Sequence, residues 1–194
     1  CYNCIDRHVE GGHGKEIGLI WEGNDPNESK KYTYNELLSQ VQLAGNALKN
    51  LGVEKGDRVC IYMQMIPELA IVVLACARIG AIHSVVFGAF APDSLEARIN
   101  DSECRILITQ DTGVRGEKTD IPMKSNADIA LQKTPSIEKT LVVKRTGTTV
   151  DMQDGRDVWW HEALGSADST CAPEEMDAED PLFILYTSGS TGKP

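Results

Sequence analysis

The nine residues Tyr186-Thr187-Ser188-Gly189-Ser190-Thr191-Gly192-Lys193-Pro194 gather the chemistry of anion binding into one loop. Thr187, Ser188, Ser190 and Thr191 supply hydroxyl donors, Gly189 and Gly192 leave backbone N–H groups unobstructed, and Lys193 adds an ammonium. Those donors suit a polyphosphate. A Walker A loop requires Gly-x-x-x-x-Gly-Lys-Ser/Thr. Here two residues separate Gly189 from Gly192, and Pro194 stands where the magnesium-binding hydroxyl would be. The loop is therefore not of the Walker kind, and on composition alone a turn without a ligand is the simpler reading.

A second candidate lies in Thr109 to Lys118, a stretch that leaves a strand and then presents Arg115 and Lys118 on either side of Gly116 and Glu117. Two cations so placed can grip a phosphate, and the alternative is a solvated surface turn. Other reactive side chains do not assemble into a motif. Cys1-x-x-Cys4 has no second pair and no nearby histidine ligands, and the other four cysteines, at 60, 76, 104 and 171, are scattered and read as buried, reduced thiols. His8, His13, His83 and His161 show no metal-ligand spacing. The acidic run from Glu174 to Asp180 reads as a solvated connector.

The elements that must position these groups alternate. Thr33 and Glu36 are spaced as a capping box for a helix over Lys31 to Leu51, with Leu37, Leu38, Val41, Ala44, Leu48 and Leu51 on one stripe and Gly52 as the stop. There follow a buried strand over Arg58 to Met63, a helix opened by Pro67 and ended at Gly80, and a strand over Ile82 to Phe87. A helix from Pro92 to Asp101, a strand over Arg105 to Thr109, a helix over Asn126 to Gln132 and a strand over Thr140 to Lys144 continue the pattern. Thr146 to Asp180 reads as loops around one short helix near Trp159-Trp160, and Leu182 to Tyr186 as an interior strand that delivers the Ser/Thr/Gly loop. Strand and helix in alternation predict an α/β fold with a mostly parallel sheet flanked by helices, and in such sheets ligands gather beyond the carboxyl ends of the strands.

At 194 residues the chain can bury one core, and 41% hydrophobic with 25% charged residues is an ordinary globular composition. A formal charge of -10 works against nucleic acid or an anionic membrane as partner, so any phosphate must be held locally. No apolar run reaches the ~18 residues of a membrane span, and the expected location is cytoplasmic.

The terminal loop resembles the signature loop of the adenylate-forming superfamily of acyl-CoA synthetases, luciferases and peptide-synthetase adenylation domains. Asn3 to His8, Gly88 to Leu95, Trp159-Trp160-His161 and Asp180 to Tyr186 resemble its AMP-forming acetyl-CoA synthetase branch, so the likeness spans essentially the whole chain. Propionyl-CoA synthetases share the loop and the opening block, whereas the Trp-Trp-His and Asp-Pro-Leu-Phe-Ile blocks look more like the acetyl enzymes. The resemblance implies a ligase that uses acetate, ATP, Mg2+ and coenzyme A. It assigns Thr187, Ser188, Gly189, Ser190, Thr191, Gly192 and Lys193 to the β- and γ-phosphates of ATP. It carries contact with the phosphorylated adenosine end of coenzyme A onto Arg115, Gly116, Glu117 and Lys118, where Glu117 departs from the small residue expected. Residues 1–194 then read as a fragment of the large N-terminal AMP-binding domain, cut at both ends and inactive alone. The acyl pocket and the mobile C-terminal domain with its lysine would lie elsewhere, and no catalytic residue is assigned here. A propionyl-CoA synthetase or other acyl-adenylating ligase, and a non-catalytic nucleotide-binding or structural fragment, are the alternatives.

Overall fold

The computed structural model describes residues 1–187. Short helical turns at Tyr2–Cys4, α1 (Asp6–His8) and Val9–His13 lead into an antiparallel pair, β1 (Ile17–Glu22) and β2 (Ser29–Thr33). Then come α2 (Tyr34–Asn50), β3 (Arg58–Met63), α3 (Pro67–Ile79), β4 (Ile82–Phe87), α4 (Pro92–Ser102) and β5 (Ile106–Gln110). A small hairpin, β6 (Gly113–Arg115) and β7 (Lys118–Ile121), precedes α5 (Met123–Leu131), β8 (Lys139–Val143), β9 (Asp157–Trp159), α6 (Trp160–Gly165) and β10 (Phe183–Ile184). Six of the strands form one parallel sheet in the order β10-β4-β3-β5-β8-β9.

The expected α/β architecture is present, and its two layers follow from strand alternation. Val59, Ile61 and Met63 of β3 face one way, into a core with Val41, Ala44 and Leu48 of α2 and Val72, Ala75 and Ile79 of α3. Cys60 and Tyr62 face the other way, against Leu95 and Ile99 of α4 and Met123, Ala127 and Ala130 of α5. Burial on both faces is why this strand reads as an unbroken apolar run. The capping box also forms: Thr33 Oγ1 accepts from the Glu36 N–H at 3.2 Å and the Glu36 carboxylate accepts from the Thr33 N–H at 2.8 Å. Helix α2 accordingly starts at Tyr34, and Lys31 to Thr33 belong to β2.

Three expectations change. Leu182 to Tyr186 is not an interior strand among the described residues: only Phe183 and Ile184 pair, with His83 and Ser84 of β4, and Leu182, Phe183 and Leu185 are 51, 52 and 66% exposed. The stretch around Trp159 is not only loop and helix, because Asp157–Trp159 adds a sixth strand beside β8. Trp160 is the buried anchor, whereas Trp159 is half-buried. Finally, α5 starts three residues earlier than periodicity predicts, at Met123, whose fully buried side chain joins the α4–α5 core.

Cys60, Cys76, Cys104 and Cys171 are buried and free, as expected of thiols that pack as small hydrophobes. Among the described residues no helix is long and apolar enough to cross a membrane.

Candidate functional site

Because β3, β4, β5 and β8 are parallel, the segments that leave them emerge at one edge of the sheet. There they enclose a cleft of about 1090 Å³. Gln64, Met65 and Ile66 follow β3, Gly88 and Ala89 follow β4, the β6–β7 hairpin follows β5, and Arg145 follows β8. Trp21 to Asn24, from the end of β1, close the other side. Gly88 is required where two strand ends converge, since a Cβ there would lie 3.0 Å from the Met63 carbonyl oxygen.

All four residues of the expected cation segment line this cleft. Arg115 and Lys118 are opposite one another across the hairpin, and Gly116 and Glu117 form its turn. Gly116 has φ +60° while Glu117 keeps a negative φ, the sign pattern of a type II′ turn, which demands glycine only at the first position. The turn therefore accepts Glu117 without backbone strain. All four residues are exposed, and among the described residues neither cation is engaged in an ion pair. Glu117 does not pair with Lys118, and Arg115, Glu117 and Lys118 together give the tip one net positive formal charge at the cleft rim.

Side chains that local sequence reading did not find hold the walls. Asn24 donates from Nδ2 to the Gly116 carbonyl at 2.9 Å and accepts the Gly116 N–H on Oδ1 at 2.7 Å. Gln64 makes the same double contact with Val114, accepting its N–H at 2.9 Å and donating to its carbonyl at 3.1 Å. Arg145 makes a bidentate pair with Glu28, at 2.5 and 2.6 Å, and its guanidinium lies 5.2 Å from the centre of the Trp21 ring. The hydrogen bond from Arg145 holds the Glu28 carboxyl below its ordinary range, and the same bond raises Arg145. Behind them the buried Asp111 carboxylate accepts N–H bonds from Thr112, Arg145, Thr146 and Gly147, fixing the turn that presents Arg145. These partners lie up to 117 residues apart, so no local pattern announces them.

Of the Ser/Thr/Gly loop, Thr187 is described and exposed, while Ser188, Gly189, Ser190, Thr191, Gly192 and Lys193 lie outside the described residues. Its approach is fixed by Tyr186, whose hydroxyl donates to Asp101 at 2.7 Å and whose ring lies 5.2 Å from the Arg98 guanidinium. Burial, reinforced by the Asp101 bond, pushes this phenol up to about 12. β10 is parallel to β4, so Tyr186 and Thr187 leave the sheet at the same edge as the cleft.

The family model described as "AMP-binding enzyme" matches residues 6–194. The chain belongs to the AMP-binding enzyme family. Relatives within it include "Acetyl-coenzyme A synthetase 2" of Pseudomonas putida, 60% identical over 193 residues, and "Acetyl-coenzyme A synthetase" of Rubrobacter xylanophilus, 58% identical over 193 residues. Each alignment takes in 100% of this chain and 30% of the relative. A third, from Nostoc linckia, is 56% identical over 192 residues, 99% of this chain and 56% of that protein. The chain thus spans about 30% of the length of most relatives it matches, and what it carries of an AMP-binding enzyme is the sheet edge, the cleft and the approach to the Ser/Thr/Gly loop.

Proposed function

We propose that the whole protein is an AMP-forming acetate:CoA ligase, converting acetate, ATP and coenzyme A to acetyl-CoA, AMP and diphosphate by way of acetyl-adenylate. Residues 1–194 would form part of its large N-terminal domain, with a C-terminal mobile domain outside them. The observation that carries this reading is the end-to-end likeness to acetyl-CoA synthetases at 55–60% identity.

The cleft supports the coenzyme A assignment on physical grounds. The 3′-phosphorylated adenosine end of coenzyme A is a polyanion with a flat aromatic base. Arg115 and Lys118 offer cationic donors at the rim, Gly116 and Gly88 leave room for close approach, and the exposed Phe87 offers a ring face. Coenzyme A would bring the thiol that accepts the acyl group. Thr187 to Lys193 would hold the β- and γ-phosphates of ATP, stabilising charge on the departing diphosphate. Mg2+ would enter with those phosphates, and among the described residues no group of three or more His, Cys, Asp or Glu is assembled to hold a metal. The four buried free thiols support a cytoplasmic location.

The test is acetate-dependent exchange of pyrophosphate into ATP by the full-length protein, followed by coenzyme A-dependent formation of AMP. Exchange with propionate or another carboxylate but not acetate would reassign the acyl substrate, and absence of exchange across a panel of carboxylates would leave a non-catalytic protein. Arg115→Glu with Lys118→Glu should raise the apparent KM for coenzyme A about tenfold or more, with far less effect on pyrophosphate exchange. Equal loss of both activities would remove the coenzyme A assignment.

A further inference from the structure

The β6–β7 hairpin carries Arg115 and Lys118, yet it contributes little to the core: Arg115 to Asp120 are all exposed. It nevertheless exchanges four hydrogen bonds with two side-chain amides, accepting two and donating two. Strand β6 has β7 on one edge, and its other edge would be open. Successive residues of a strand turn their N–H and C=O to opposite edges. Arg115 is in register with Lys118 across the hairpin, so Val114 presents its backbone groups to the open edge, and Gly116, the first turn residue, offers its own beside them. Gln64 satisfies both groups of Val114, and Asn24 satisfies both groups of Gly116. A primary amide can do this because it carries a donor and an acceptor side by side, as a peptide group does.

Both amides are themselves anchored. The Gln64 N–H donates to Gln110 Oε1 at 2.9 Å, and Gln110 Nε2 donates to the Thr112 carbonyl at 2.9 Å. Gly113 has no side chain where one would collide with the Gln64 amide. Asn24 sits in the β1–β2 connection, closed by the Gly23 N–H to Glu28 carbonyl bond at 2.6 Å and tied to the sheet through the Glu28–Arg145 pair.

We infer that Asn24 and Gln64 are positioning residues of the cation clamp: by pinning the backbone on both sides of Arg115 they hold Arg115 and Lys118 ready for a phosphate monoester, without touching the ligand. This rests on the assignment of the cleft to coenzyme A. Ordering before binding matters because a flexible hairpin would spend part of the interaction energy on becoming ordered.

The experiment measures steady-state kinetics of the full-length protein with coenzyme A and with 3′-dephospho-coenzyme A. It compares wild type with Asn24→Leu, Gln64→Met and, as reference, Arg115→Gln. The inference expects Asn24→Leu and Gln64→Met each to raise the apparent KM for coenzyme A about 5- to 20-fold, with kcat within about twofold and little change for the dephospho form. If Arg115→Gln raises that KM while neither amide variant does, the positioning role is overturned and the coenzyme A assignment stands. If none of the three moves it, both fall. Parallel loss of kcat, pyrophosphate exchange and dephospho-coenzyme A turnover would mean a general structural role and overturn the inference. Should Asn24→Leu fold poorly, Gln64→Met decides by the same criteria.

Discussion

Lys124 of α5 and Asp157 of β9 form an ion pair of 2.8 Å in which the lysine side chain is 1% exposed and the aspartate 0%. Arg156 reaches the same carboxylate at 2.6 Å, and Lys124 also donates to Asp128 and to the Asp151 carbonyl. The pair thereby fastens the edge strand β9 to the α5 layer. Removing the partner of a buried charge costs about 3–5 kcal/mol when nothing else pairs with it, and less here because Asp128 still pairs with both Lys124 and Arg156. Asp157→Ala should therefore lower the urea midpoint measurably but by less than that full penalty, and a midpoint within error of wild type would refute the account.

The same carboxylate makes a pH prediction. Burial alone would raise Asp157, but hydrogen bonds from Arg156 and Lys124 outweigh it and hold the group below its ordinary value. A lowered folded-state pKa stabilises the protein above the unfolded value of about 3.9 and loses that contribution as pH falls through the folded value. The stability gap between wild type and Asp157→Asn should be constant at neutral pH and shrink below about pH 4. A gap that widens on acidification would reverse the sign of the argument.

Arg78 and Asp6 make a second buried pair, with bonds of 2.8 and 2.9 Å, and Arg78 also donates to the Cys171 carbonyl. One guanidinium thus holds both the start of the chain and the segment after α6 against α3. Arg78→Met should loosen both, seen as limited proteolysis before residue 14 and near residues 167–180 while the sheet stays protected. The double variant Asp6→Leu with Arg78→Met should recover much of the lost stability, because it removes the stranded charge as well. A double variant no better than the single one would argue that geometry, rather than desolvation, dominates.

How far the sequence alone reaches is visible in contrasting elements. β3 and β5 are buried on both faces, so runs of five and three consecutive apolar residues announce them, and α2 and α3 carry their own capping box, proline and glycine signals. β1 and β2 are mostly exposed and have no such alternation to read. β10 is apolar enough to be interior, yet composition does not say which neighbour lies beyond it. In the cleft, Arg115 and Lys118 were legible because cations separated by two residues across a glycine turn are a local pattern. Asn24 and Gln64 were not, because their roles come from partners 92 and 50 residues away.

Cysteine accessibility separates the described thiols. Cys4 is exposed, Cys1 is partly covered, and Cys60, Cys76, Cys104 and Cys171 are buried. Burial pushes the Cys76 thiol up to about 12, so it lacks both exposure and thiolate character. Brief alkylation of the native protein at pH 8 followed by peptide mapping should label Cys4 first, Cys1 more slowly and the other four only in denaturant. Rapid native labelling of Cys76 would place α3 differently from the packing described.

Glu117 gives the most direct test of charge at the cleft. Its carboxylate sits in the turn between Arg115 and Lys118, and its backbone conformation asks for no particular side chain there. Glu117→Gln keeps the shape and removes one negative charge from the neighbourhood of the phosphate proposed to bind there. At solvent-exposed separations of several ångströms, one unit charge is worth about 0.5–1 kcal/mol, or roughly two- to fivefold. The apparent KM of the full-length protein for coenzyme A should fall by that factor at low ionic strength. The gain should fade toward 0.5 M salt, where screening acts over about 4 Å, and should be small for 3′-dephospho-coenzyme A. A gain that persists in high salt, or that is equal for both ligands, would trace the effect to altered turn geometry instead of charge at the phosphate.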